Sequence, residues 1–556
     1  MAGDTISSDQ PGGWETPTAS DVRPRGAGVR ATAMTAAITL VATAGVATAV
    51  FRGTTTARDP ATVIPAGAFA VGTLHLDLPG GQESAVDHIL SLFPSAKLPA
   101  GDTLKDRVMR ALTKNSTPPV NYDKDIKPWL GNTATFAGWL DNGKPKLEIV
   151  LESTDDAAAR QHLPATMGSN EHFAVHDGWV VMGESQSEIN DALQAAATSS
   201  LANSGSYEDD VTALPDNEAA TAWIDGPAIK TMLQTILTHG PVGASAFGGM
   251  LLGSTGLGDV FNGRTSLGLH ATNDFVQMDM RSVGMKQYAN APSTLLTQLP
   301  SGTIGAFELG DPAGLIDGIA PALKLFSGAF GVGEMCTGGS SYSVGGTRTF
   351  AIPPMTSVTP AKRRAYRKLL RAQPRLIVPK SQQEVCRQLP APDPVNEIQK
   401  VLGISFPDDL KTMLGDRAVV AFGGLNLGGL PDIAIRSHPS DLSAANAVAG
   451  KMVAHLNASA HLSLSTTTSD QDLILATSPS YAAAVKQTGA LGDDAPVKAA
   501  LGDLPSSVGV AFYLDLSRIW SLVPVPSGIR HLKAIGLWGT SESGDVTTGQ
   551  LRVVLN

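Results

Sequence analysis

Cysteine is almost missing from this chain: only Cys336 and Cys386 occur among its 556 residues. Two thiols cannot build a zinc cluster made mainly of thiolates, and they allow one disulfide at most. Aromatic residues make up 5% and charged residues 17% of the chain, against 42% hydrophobic. That balance is too apolar for general disorder, and the length calls for more than one core. The formal net charge is -10, which argues against nucleic acid as a partner, because a phosphate backbone is matched by clustered Lys and Arg.

Catalytic signatures are missing as well. The sequence contains no Gly-x-Ser-x-Gly elbow, no His-Glu-x-x-His pair, no phosphate loop and no dinucleotide fingerprint. His172 and His176 have the spacing of helical metal ligands but run into the strand-like Gly178 to Met182. Four residues of strand span about 13 Å, too far to share one ion. The glycine-rich Gly423 to Gly429 reads as a hairpin turn, since a phosphate cradle would lead into a helix. The sequence thus assigns no catalytic, cofactor-binding or metal-ligating residue, and no cofactor.

Large apolar side chains are scarce in residues 1-30, which carry Pro11, Gly12, Gly13, Pro17, Pro24 and Gly26 and read as a disordered cytoplasmic tail. Charge is absent from Ala31 to Phe51, a stretch long enough as a helix to cross roughly 30 Å of hydrocarbon. Residues 31-52 are therefore expected to form one transmembrane helix. Arg23, Arg25 and Arg30 precede it, and Arg52 and Arg58 follow; this bias weakly favours a cytoplasmic N-terminus and an extracytoplasmic remainder. Two rival readings are a cleaved signal peptide ending near Ala47-Thr48-Ala49 and a buried helix.

What is present in abundance is self-similarity. Asp125 to Gly131 recurs as Asp409 to Gly415, a shift of 284 that also carries Leu147 to Ser153 onto Pro431 to Ser437. Leu214 to Asp225 recurs as Leu504 to Asp515 at a shift of 290, and Leu267-Gly268-Leu269 is matched to Ile535-Gly536-Leu537. Two copies follow, 60-285 and 295-556. Within them, Ile64-Pro65, Leu214-Pro215, Leu299-Pro300 and Leu504-Pro505 each open an apolar strand ending at Asp77, Asp225, Asp311 or Asp515. An aspartate there is placed to cap the next helix. Short turns such as Asp141-Asn142-Gly143 imply antiparallel hairpins. The expected fold is α+β: two tandem copies of a mixed, mainly antiparallel sheet with helices on one face, preceded by the transmembrane helix.

The copies differ in two places. The shift grows from 235 to 284, so about 49 residues are inserted in the second copy, bracketed at 336-386 by Cys336 and Cys386. A disulfide closing such a loop stabilises by roughly 4 kcal/mol on the chain-entropy model and fits an oxidising compartment. Inside the loop, Thr359 and Pro360 open a helix carrying Lys362, Arg363, Arg364, Arg367, Lys368 and Arg371. This patch is either a solvated face paired within the protein or a contact for anionic lipid or an envelope polymer. The first copy has its own excess, the apolar glycine-rich run from Gly240 to Gly258, read as a flexible connection or a loop over an apolar groove.

With the Leu-Pro strand openings, Leu130-Gly131-Asn132 and Leu414-Gly415-Asp416, the chain resembles an actinobacterial family of membrane-anchored proteins known as a domain of unknown function. The resemblance covers most of residues 25-556. It implies an envelope location and no activity, and it supplies no catalytic residues. The expectation is a membrane-anchored extracytoplasmic protein, non-enzymatic, binding a ligand or partner between its copies or through the basic loop. Alternatives are an envelope enzyme whose residues converge only in three dimensions, and a sensor reporting through the short tail.

Overall fold

The structure, a computed structural model, describes residues 58-317 and 394-555, apart from 79-80, 94-102, 115-119, 142-143, 168-171, 240-261, 286, 288, 425-429 and 524. Residues 31-52, Cys336, Cys386, the basic run 362-371 and Gly240 to Gly258 lie outside the described residues.

Sixteen strands make one sheet. The first eight are β1 (Ala68–His75), β2 (Leu130–Asp141), β3 (Lys144–Ser153), β4 (His172–His176), β5 (Trp179–Gly183), β6 (Ala220–Asp225), β7 (Arg264–Ala271) and β8 (Phe275–Val283). The second eight are β9 (Gly305–Leu309), β10 (Ala418–Gly424), β11 (Asp432–Ser437), β12 (Ser465–Ser469), β13 (Asp472–Ala476), β14 (Val510–Asp515), β15 (Leu532–Ser541) and β16 (Val546–Leu555). From one edge, the first half runs β4-β5-β3-β2-β1-β6-β7-β8, and from the other edge the second runs β12-β13-β11-β10-β9-β14-β15-β16. The order is the same, with each strand number raised by eight.

Two parts of the expected fold are corrected, and a third, the transmembrane helix at 31-52, falls outside the described residues. Two tandem mixed sheets were expected; the sheet is single and antiparallel, because β8 and β16 pair along their whole length from Val283↔Val546 to Phe275↔Val554. Each half thereby covers the other's exposed edge, where unpaired N-H and C=O groups would otherwise stand. Helices were expected on one face, whereas they pack on both. Neighbouring residues of a strand point to opposite faces, and Val180 belongs to a core with Trp129 and Leu163 while Val181 belongs to another with Trp139 and Ile189. In β13, all five residues from Asp472 to Ala476 are buried for the same reason. As for the transmembrane helix, among the described residues no helix is long and apolar enough to cross a membrane.

Local sequence accounts for most element ends. Asp225 accepts the Ala228 N-H at 3.0 Å, Asp311 that of Gly314 at 2.8 Å and Asp515 that of Arg518 at 3.2 Å, each filling an orphan donor at a helix start. Asp77 does otherwise: it accepts from the Asn132 side chain at 2.9 Å, and its helix, Gln82–Leu92, starts at Gly81. One expected strand is a hairpin, β4-β5, turning at Asp177 and Gly178 with φ of 49° and 81°. Asp-Gly tolerates that left-handed pair, which matches strand twist.

Candidate functional site

The two faces of the central strands differ sharply. One face is roofed by helices. In the first half, Gly205–Thr212 lies over β6 and β7, with Ser266 Oγ donating to the Asp210 carbonyl at 2.8 Å. In the second, Ala495–Leu501 lies over β15, where Trp538 Nε1 donates to the Leu501 carbonyl at 3.1 Å. Beneath them a ladder row runs Thr221, Gly268, Asp279, Gln550, Trp538, Ala511, Glu308, Val419.

The covered face holds buried charge. Asp210, 2% exposed, accepts from Arg264 Nε at 2.7 Å, Arg281 Nη1 at 3.0 Å and Trp223 Nε1 at 3.1 Å. Glu308 accepts from the Leu295 and Leu296 N-H groups at 3.3 and 3.0 Å, yet burial outweighs them and pushes its pKa up to about 7. On β3, burial and then the charge of Glu188 push Glu148 up to about 8. The Glu148 carboxyl oxygens find no hydrogen-bond partner among the described residues.

A chain of polar groups crosses the seam between the halves on this face. Arg552 donates to Gln277 Oε1 through Nε at 2.8 Å and Nη2 at 2.5 Å, and its guanidinium lies 4.1 Å from the Phe275 ring centroid. Gln277 Nε2 donates to both Asp279 oxygens at 2.9 Å. Asp279 Oδ2 is 3.5 Å from His270 Nδ1, which is 3.9 Å from Glu218 Oε1. Glu218 is wholly buried, and a side chain at Gly268 would collide with its carboxyl. Burial lowers the His270 pKa, but Asp279 and Glu218 outweigh it and hold it up to about 9. His270 also lines a cleft of about 490 Å³ shared with Gly81, Gln82, Asn217 and Thr272.

The opposite face carries an unbroken apolar row one residue along: Leu269, Met278, Leu551, Leu537, Phe512, Phe307, Val420. Flanking positions on that face include Leu267, Met280, Val553, Ile535 and Leu514, all of them apolar. Phe307 is 37% and Val420 40% exposed, and the five between Leu269 and Phe512 are each half-buried. Among the described residues, helices close this face toward its ends, and Leu516–Leu522 packs against β15, with Trp520 Nε1 donating to the Leu532 carbonyl at 2.9 Å. The first-half core around Trp129 takes in Ala271, Val276 and Val553, and Leu442–Ala460 sits against Leu473 and Leu475.

None of the residues singled out from sequence, Cys336, Cys386 or the six basic residues from Lys362 to Arg371, falls among the described residues. The Glu218, His270 and Asp279 cluster escaped sequence reading because its members come from three segments with no shared spacing. Their only signal is a polar residue at a strand position where its neighbours alternate with apolar ones.

No family model matches the chain, and no curated protein matches it. Among solved structures it is similar to crystal form III of TP0453, at 12% identity and a TM-score of 0.22, over 42% of this chain and 84% of that one. Crystal form I of TP0453 gives 10% identity and a TM-score of 0.20, over 42% and 82%. Scores this low do not define a shared fold.

Proposed function

We propose that this chain is a non-enzymatic binding protein of the cell envelope that holds the acyl chain of a lipid-like amphiphile on the open face of its central sheet. The supporting observation is the uncharged, partly exposed row from Leu269 to Val420, continuous across seven strands and both halves. Proteins that act as free monomers rarely expose contiguous apolar patches of more than a few hundred Å². A floor without donors or acceptors cannot orient a sugar or nucleotide, whose polar groups would be desolvated unpaired. A methylene chain loses nothing there and gains about 0.8 kcal/mol per buried CH2. In this reading the run from Lys362 to Arg371 supplies cations for an anionic headgroup.

The test titrates the full-length protein with a fluorescent long-chain fatty acid. The reading expects saturable binding, weakened at least about tenfold by Met278→Glu or Leu537→Glu, since a carboxylate must then be desolvated against the chain. Binding that is absent, or unchanged in both variants with native circular dichroism, would overturn it.

A further inference from the structure

We infer that Glu218, His270 and Asp279 form a site for one divalent ion of the zinc or manganese class, entered from the cleft beside His270. Each residue offers one ligand atom, and the three atoms lie within 4.8 Å of one another. The His270 Nδ1 separations of 3.5 Å to Asp279 and 3.9 Å to Glu218 are close to the edge of about 3.4 Å that bonds of about 2.1 Å give in a tetrahedral site. One imidazole with two carboxylates suits an ion that accepts both nitrogen and oxygen.

Charge balance points the same way. Asp279 and Glu218 are two carboxylates in a desolvated place, Glu218 with no exposed surface. A divalent ion bound by both carboxylates and a neutral imidazole would cancel their charge where they lie out of water.

The surroundings are those of a supported site. Gln277 fixes Asp279 through two 2.9 Å bonds and is itself fixed by Arg552 from the other half, as outer-shell groups fix metal-ligating carboxylates. Gln550 stands directly across the ladder from Asp279, its Nε2 3.5 Å from that carboxylate. Its Oε1 is buried and has no hydrogen-bond partner among the described residues. The cleft of about 490 Å³ gives an entry path. The second half does not repeat the site. Ala219 donates to the Leu269 carbonyl at 2.6 Å and Gly509 to that of Gly539 at 2.8 Å, so Glu218 and His270 correspond to Val508 and Thr540, which are not ligands of that kind.

The experiment strips the full-length protein with a chelator and titrates it calorimetrically with zinc, manganese and magnesium chlorides. One equivalent of zinc or manganese should bind with micromolar or lower Kd, magnesium much more weakly. Glu218→Gln and His270→Ala should each abolish the site, and Gln277→Ala should weaken it about tenfold. Glu148→Gln, on the same face but remote in the ladder, should leave it unchanged. No binding to the wild type, or binding that survives both Glu218→Gln and His270→Ala, would overturn the inference and leave the three residues as an internal salt cluster. Acyl-chain binding on the other face can fail or succeed independently of this result.

Discussion

Across the same seven strands, the row from Leu269 to Val420 is apolar and half-open, while the row one residue along, from Gly268 to Val419, lies under helices and includes Asp279, Gln550 and Glu308. This reverses the usual arrangement of an antiparallel sheet, with apolar residues inward and polar residues in water. The covered face can hide its polar groups because most have partners: Asp210 has three, and Asp279 is held by Gln277 and Gln550. The open face has no such need, and its unfilled contacts are what an apolar guest would complete. Over these central strands the buried polar network sits on one face and, in the proposed reading, the binding surface on the other.

Substitutions on the two faces should therefore differ in kind. The largest loss is expected from Asp210→Ala, which leaves Arg264, Arg281 and the Trp223 indole N-H without their shared buried carboxylate. Urea unfolding should register about 3 kcal/mol, and a loss below about 1 kcal/mol would refute the division. Next comes Glu148, whose pKa is pushed up to about 8. An acid raised on folding is favoured when protonated, so the folded chain binds more protons than the unfolded one and loses stability as pH rises from about 4.5 toward 8. Glu148→Gln should flatten that slope and make the protein roughly 2 kcal/mol more stable than wild type at pH 8; melting curves at several pH values check it.

A smaller effect is expected at Asp441, which caps Leu442–Ala460 by accepting the Ala444 N-H at 3.0 Å. Asp441→Ala should lower stability by about 1 kcal/mol in urea titration, with no change in acyl-chain binding. Smallest in stability is Phe307→Gln on the open face, under about 1 kcal/mol because that ring is already 37% exposed. The same variant should weaken acyl-chain binding measurably. A large stability loss there would mean that the open face is a structural core.

Parts of this division are legible in the sequence and parts are not. Asp225, Asp311 and Asp515 read correctly as caps, since an aspartate between strand and helix satisfies a local need. Period-two alternation marks β7, β8, β15 and β16, but it does not say which face is roofed. Matching Leu267 to Ile535 is two residues away from the ladder, which aligns Leu269 with Gly539. A slip of two keeps every side chain on its face, so the apolar pattern cannot detect it. The union of the halves through β8 and β16 depends on two distant edges meeting, as does the convergence of Glu218, His270 and Asp279.

The most direct test is photocrosslinking of full-length protein with a diazirine-bearing long-chain fatty acid, followed by peptide mapping. If the open face is the binding surface, adducts concentrate on β7, β8, β16, β15, β14, β9 and β10, at residues of the Leu269 to Val420 row and its flanks, and unlabelled fatty acid competes them away. Adducts spread over the surface, or confined to peptides outside these strands, would contradict it.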